Sequence, residues 1–233
     1  MNLWLAFIVT LVLCVLWLRI IDFLASKNYL SKKLSRKIVH IGTGPIFLLC
    51  WLFFPDNLWS KYVAAVIPFL ITLQFFLIGI GVIKDQGSVD AMSRSGDPKE
   101  ILKGPLFYGI AFIIVTILFW RNSPLGIITL MILCGGDGIA DIVGRNISSP
   151  TLKWSKNKSI AGSIAMFIGG FIFSTVLVLI FIKSGYLHLD LTQSILKIII
   201  LNLVATIVES LPISDWDNVT VPLAVIFVGL IIF

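Results

Sequence analysis

The sequence predicts an all-α, polytopic integral membrane protein with seven or eight transmembrane helices. Three observations carry that reading. Of the 233 residues, 58% are hydrophobic, and the mean hydropathy is +1.03, far above that of a soluble domain of this length. Apolar stretches of ~17–25 residues, each long enough to cross the hydrocarbon core as a helix, recur along the chain. Lysines and arginines gather in alternate connecting segments, as expected of a multi-pass protein.

Eight spans are read, over residues 3–21, 38–54, 62–83, 105–120, 124–144, 160–182, 195–213 and 219–233. The fourth and eighth are short, so a seven-span arrangement or a re-entrant segment also fits. The first span begins MNLWLAFIVT, without a basic leader or a small-residue cleavage site, and is expected to remain in the mature protein. Segment 22–37 carries Lys27, Lys32, Lys33, Arg36 and Lys37. Segment 84–104 carries Lys84, Arg94, Lys99 and Lys103, and segment 145–159 carries Arg145, Lys153, Lys156 and Lys158. The alternate segments hold Lys61, Arg121 and Lys183. This bias puts the three basic segments, with 212–218, in the cytoplasm or its topological equivalent, and both termini on the other side. The net charge of +6 then reflects membrane orientation, and no nucleic-acid partner is implied. Residues 1–233 read as one transmembrane domain. Cys14, Cys50 and Cys134 show no CxxC or Cys/His spacing and read as buried, inert thiols. The sequons at Asn146, Asn157 and Asn218 fall on the cytoplasmic side, which excludes glycosylation.

This topology brings the polar residues of the spans to one membrane face. Asp137 and Asp141, in CGGDGIADIVGRN, are four residues apart and share one side of a helix. Two carboxylates plus substrate phosphates is the usual way Mg²⁺ is bound. Gly135, Gly136 and Gly138 weaken the helix there, which is tolerated at membrane depth only beside a cavity or within protein. The same acids could instead serve assembly with lysines, or a cation pathway. Arg145, Lys153, Lys156 and Lys158 can neutralise phosphates. Ser159 and Gly162 open a helix whose free N–H groups suit an anion. Ala161, Ala165 and Gly169 offer that helix a small-residue packing face.

Arg36, Lys37 and His40 stand at the start of the second span. His40 can act as a general base or contact phosphate. Glu209 shares a helical face with Asn202 and Thr206 and needs a basic or metal partner. Asp215, Asp217 and Asn218 follow it. Gln74 is expected to bond a neighbouring helix, and His188 to be solvated. Segment 84–104 is long for a connector, as functional or disordered loops are, and reads either as a functional loop or as a charged, solvated one. P-loop and protein-kinase motifs are absent, so phosphoryl transfer would need another constellation with the same physics of positioning and charge neutralisation.

Five blocks carry a family likeness: SRKIVHIGTG (35–44), SGDPKEILKGPLFYG (95–109), GGDGIADIVGRN (135–146), KSIAGSIAMFIGG (158–170) and ESLPISDWDNVTVP (209–222). In this order, they resemble the phytol kinase branch of the CTP-dependent polyprenol kinases, and the second block is closer to that branch than to dolichol kinases. The resemblance implies transfer of the terminal phosphate of CTP to a membrane isoprenoid alcohol. Phytol would give phytyl phosphate for tocopherol and phylloquinone synthesis. It implies Mg²⁺ at Asp137 and Asp141. Phosphate or nucleotide contacts would come from Arg36, Lys37, Lys103, Arg145, Lys158, Ser159, Gly162 and Asn218. Catalysis would involve His40, Asp137 and Glu209, with His40 or Glu209 taking the alcohol's proton. The run NISSPTLKW after Arg145 departs from the family's glycine-rich continuation. The prenyl tail is expected to lie between helices, with little discrimination of chain length. Alternatives are another lipid kinase of the family (for dolichol, farnesol, geranylgeraniol or diacylglycerol), a phosphatidate cytidylyltransferase-like enzyme, or a cation-coupled transporter.

Overall fold

Each apolar stretch becomes a helix because, in hydrocarbon, backbone N–H and C=O groups must pair within their own segment. The computed structural model describes every residue except Arg94, Ser214 and Asp215; for Lys32, Lys33, Arg36, Asp90 and Ala91 it describes the backbone alone. The helices are α1 (Leu3–Ser26), α2 (Lys32–Cys50), α3 (Ser60–Gly79), α4 (Gln86–Met92), α5 (Gly104–Leu118), α6 (Pro124–Met131), α7 (Asp137–Asn146), α8 (Ile160–Lys183), α9 (Leu191–Glu209) and α10 (Asp217–Ile232). Among the described residues, six helical stretches are long and apolar enough to cross a membrane, and two shorter apolar ones, Lys37–Phe53 and Asp217–Ile232, accompany them. The chain is thus an all-α, multi-pass membrane protein. Side chains of Asn2, Ser31, Ser159 and Asp190 cap α1, α2, α8 and α9, each accepting from an amide three residues on.

The connecting segments hold more structure than their composition suggests. Much of 22–37 is helix: α1 runs to Ser26 and α2 begins at Lys32, with Asn28 turning the chain at φ 61°. Segment 84–104 contains α4 and a 3₁₀ turn at Pro98–Leu102. There Glu100 accepts from the Ser93 hydroxyl at 2.7 Å and the Ser95 hydroxyl at 2.9 Å. Segment 145–159 folds back as a short antiparallel pair, β1 (Thr151–Leu152) and β2 (Ser155–Ser159).

The fifth span is not one regular helix. A fully buried π turn, Ile132–Gly136, separates α6 from α7, at the weak point that the glycines predict; π turns of this kind are frequent at functional sites. A Cβ at Gly135 would run into the Phe173 ring, and one at Gly136 into Met166. The glycines therefore let α8 lie directly against the turn. α6 and the π turn form the centre of the bundle, and their side chains from Leu125 to Cys134 are buried. Around this centre, α1 packs on α2 and α3 packs on α5. Away from the basic segments, these two pairs meet through Ala6, Phe54 and Ala64, with Trp120 against them.

Arg121 locks that far end. It is 1% exposed, and its guanidinium donates to the carbonyls of Trp51 (3.0 Å), Phe54 and Pro55 (3.1 Å) while stacking 4.1 Å from the Tyr186 ring. It also reaches Asp56 at 3.2 Å, but that carboxylate is fully exposed, so the carbonyl bonds dominate. We expect Arg121→Ala to lower stability by about 2–4 kcal/mol, since it strands buried acceptors, and Arg121→Lys to recover little of it, because one ammonium cannot reproduce the fork. Asp56→Asn should leave unfolding unchanged. Unfolding in mixed micelles followed by circular dichroism checks this order; an Asp56 variant as damaging as Arg121→Ala would contradict it.

Candidate active site

The polar residues singled out in the sequence meet at the end of the bundle where α2, α7, β2, α9 and α10 converge. α7 begins directly after the π turn, and its one-turn spacing puts Asp137 and Asp141 on a common side. A Cβ at Gly138 would run into the Ile41 side chain, so this glycine lets α2 approach and bring Lys37 and His40 to the two acids. His40 Nε2 lies 3.5 Å from Asp137 Oδ2 and 3.3 Å from the Leu133 carbonyl. Both neighbours are acceptors, which places a hydrogen on Nε2, so any further proton taken by the ring goes to Nδ1. Lys37 Nζ is 3.0 Å from Asp141 Oδ2, and Arg145 Nε is 2.7 Å from Asp141 Oδ1. Both Asp141 oxygens are therefore engaged by cations.

A second ionic cluster adjoins the first. Lys158, at the end of β2, is hydrogen-bonded to Glu209 and lies 3.6 Å from Asp217. Burial would lower the affinity of the Lys158 ammonium for its proton, but Glu209 and Asp217 outweigh it and hold its pKa above the usual lysine value. Lys158 thus remains charged at neutral pH. The partner expected for Glu209, which is 5% exposed, is this lysine.

Other expected residues have more structural duties. Ser159 Oγ accepts from Gly162 N at 3.2 Å, and Ser149 Oγ accepts from Ala161 N at 3.1 Å. Hydroxyls thus already cap two of the α8 N–H groups proposed for an anion. Gly162 also faces Gly144 and the Ala140 carbonyl where α7 and α8 cross. The tight face of α8 includes Gly162, Ala165 and Gly169, whereas Ala161 is only half-buried. Asn218 donates to the Gly104 carbonyl at 3.2 Å, tying α10 to the start of α5. Lys103 is exposed immediately before α5. Lys153 and Lys156 are exposed on the hairpin, and His188 is exposed in the α8–α9 connection. The side chain of Arg36, and all of Asp215, lie outside the described residues.

Two residues were missing from the site as read from sequence. Asp217 stood in the right segment, but only the fold aims it at Lys158. Tyr108 packs against His40 in a tilted ring contact, centroids 4.4 Å apart, and its hydroxyl is 3.0 Å from Cys134 Sγ. The only sequence signal for it was its place in the KGPLFYG block.

Among the described residues, no group of three or more His, Cys, Asp or Glu side chains could cage a metal. This donor set suits Mg²⁺ that arrives on a nucleotide, which needs one or two carboxylates beside the phosphates, better than a resident metal centre. The residues of both ionic clusters, with Tyr108, border a cavity of ≈ 1770 Å³. That exceeds the ≈ 300–1,000 Å³ typical of one small-ligand pocket, which leaves room for two substrates. Its polar mouth is lined by Lys37, His40, Asp137 and Lys158, and its apolar arm runs inward to Cys14, Phe47, Ile67 and Phe112.

Comparison with known proteins gives a consistent set of relatives. The chain is 41% identical over 214 residues to "Phytol kinase 1, chloroplastic" of Arabidopsis thaliana, covering 91% of this chain and 70% of the relative. It is 40% identical over 217 residues to "Probable phytol kinase, chloroplastic" of Triticum aestivum, covering 92% and 72%. "Farnesol kinase, chloroplastic" of Arabidopsis thaliana is 39% identical over 212 residues, covering 90% and 69%. No family model and no solved structure matches the chain.

The Lys158–Glu209 contact makes a separable prediction. Removing one partner of a buried pair leaves the other uncompensated, so Lys158→Met and Glu209→Gln should each cost about 3 kcal/mol. The double variant should cost less than the sum by roughly 1–3 kcal/mol. A double-mutant cycle by unfolding in mixed micelles measures this; additivity would show that the pair is not coupled.

Proposed function

Because the chain belongs to the phytol kinase family, we propose that it transfers the terminal phosphate of CTP to a membrane isoprenoid alcohol, with phytol as the first candidate and phytyl phosphate as product. The family makes it a kinase of an isoprenoid alcohol; the donor, the preferred alcohol and a place in tocopherol and phylloquinone synthesis are our reading. The observation that carries it is the cavity itself. One end presents His40, Asp137 and Lys158, and the other is an apolar arm inside the membrane. A water-borne nucleotide and a lipid alcohol can meet only at such a junction. The basic bias of the surrounding segments supports a mouth on the cytoplasmic side or its stromal equivalent.

In this mechanism the alcohol oxygen attacks the γ-phosphorus, the bond to the bridging oxygen breaks, CDP leaves, and the hydroxyl proton passes to His40 Nδ1. The Asp137 carboxylate, on the other side of the ring, favours the imidazolium that results. Glu209 is the weaker base, since Lys158 already holds its carboxylate; its role is to fix Lys158 beside the phosphates. Asp137 would hold Mg²⁺ together with the donor phosphates, and Asp141 would join it once Lys37 and Arg145 pass to phosphate oxygens. When bound, Mg²⁺ supplies Lewis-acid neutralisation of the charge on the β- and γ-phosphates.

The decisive experiment incubates membranes with labelled CTP or ATP and a panel of phytol, farnesol, geranylgeraniol, dolichol and diacylglycerol. We expect CTP and phytol to give the strongest phosphorylated lipid, with CDP released. Release of pyrophosphate would point to a cytidylyltransferase. Asp137→Asn should fall to background, and His40→Ala by about 10²–10⁴-fold, the usual worth of a general base. Full activity of Asp137→Asn would remove the acid from the mechanism.

A further inference from the structure

The cavity opens sideways as well as to the mouth. Val15 on α1 is 43% exposed, and Gln74 on α3 is also exposed. Both sit in membrane-spanning helices, each next to an exposed residue that does not line the cavity, Leu16 on α1 and Leu73 on α3. Yet Val15 and Gln74 themselves line the cavity, together with Leu18 of α1 and Ile71 of α3. On α1 and on α3 the cavity wall therefore runs directly into the outward, lipid-facing surface of the helix. At the far end this gap is shut by Ala6, Phe54 and Ala64. Gln74, expected to bond a neighbouring helix, instead stands at the rim.

The inside of the arm is bounded. From His40, ring contacts run along one wall: Tyr108 at 4.4 Å, Phe112 at 4.7 Å from Tyr108, and Phe47 at 6.0 Å from Phe112. Trp51 follows at 6.0 Å from Phe47 but does not line the cavity, so the arm ends at Phe47. His40 to Phe47 is seven residues of helix, a depth of about 10 Å. That is too shallow for a whole phytyl or farnesyl chain. It suits the first isoprene units after the hydroxyl, while the rest must turn out through the side.

We propose that the space between α1 and α3 is a lateral portal, through which the isoprenoid alcohol enters from the bilayer and across which its distal chain remains in lipid during transfer. This rests on the reading of the chain as an isoprenoid alcohol kinase and deepens it. The aromatic wall reads the units next to the hydroxyl, and units beyond the portal are read by nothing. The weak discrimination of chain length expected from sequence thereby gains a structural cause.

The test narrows the portal without touching the mouth. Val15→Trp and Gln74→Trp place bulk at the rim, at lipid-exposed positions where folding tolerates it. Leu73→Trp, on α3 at 39% exposure and away from the cavity, is the control. Each is assayed with phytol in membranes and with dimethylallyl alcohol, which is small and water-soluble and can use the mouth. Loss of apolar contact and access should lower kcat/KM for phytol roughly tenfold or more in the rim variants, with the soluble alcohol and the control near wild type. In parallel, phytol carrying a diazirine at its distal end should label α1 and α3 peptides of the unmodified protein. Rim variants that keep phytol activity, or that lose both alcohols equally, overturn the portal, as does absence of α1 and α3 labelling. Wild type that phosphorylates neither alcohol overturns the kinase reading instead.

Discussion

Asp137, Asp141, Glu209 and Asp217 stand together at one end of the bundle, and each is matched by a cation or an imidazole. Asp137 faces His40, Asp141 is held by Lys37 and Arg145, and Lys158 lies between Glu209 and Asp217. A lone charge in such surroundings costs several kcal/mol, so these contacts set which helices may meet there. Except for Arg145 on Asp141, the partners come from different elements: α2 with α7, and β2 with α9 and α10. In membranes, apolar faces pack against lipid nearly as well as against each other. Ionic matching therefore selects one arrangement of the helices at this end, while small residues such as Gly135, Gly138 and Gly162 let them come close enough to make it.

Much of this was legible in the sequence. Hydropathy located the spans because each must satisfy its own backbone in lipid. The cost of charge at depth pointed to Asp137, Asp141 and Glu209 for the same reason. What could not be read was pairing. Nothing in the spacing says that Lys158 takes Glu209 and Asp217, or that both oxygens of Asp141 are spent on cations, because those contacts join segments far apart in the chain. Tyr108 was invisible for a related reason, since one tyrosine in an apolar span looks like any other core aromatic until His40 is seen beneath it. The start of α8 carried two meanings in the sequence, anion binding through Ser159 and Gly162 and packing through Ala161, Ala165 and Gly169; in the structure Ser159 caps Gly162, and Gly162 itself lies against Gly144.

The two ends of the bundle divide the work. At the far end, Arg121 ties three carbonyls and the clusters around it close the gap between the helix pairs α1/α2 and α3/α5. At the polar end, the same two pairs stand apart and the cavity lies between them. A wedge of this form follows from fastening one end only. If both ends were packed like the far one, the chain would be a better-filled bundle with no space for a lipid beside the acids.

The resting ion pairs also constrain how a charged donor can be received. A nucleoside triphosphate is strongly anionic, and the acids at the mouth would repel it if they stood unpaired. Lys37 and Arg145 are already in place on Asp141, so in the proposed mechanism binding would exchange one anion for another and need no new cation to be desolvated. The exchange would leave Asp141 without its partners beside Asp137, a pair of carboxylates that is stable only if a divalent ion arrives with the phosphates. Under the proposed mechanism, metal and nucleotide would bind as one unit, a coupling that would follow from the spacing of two aspartates on a single helical turn.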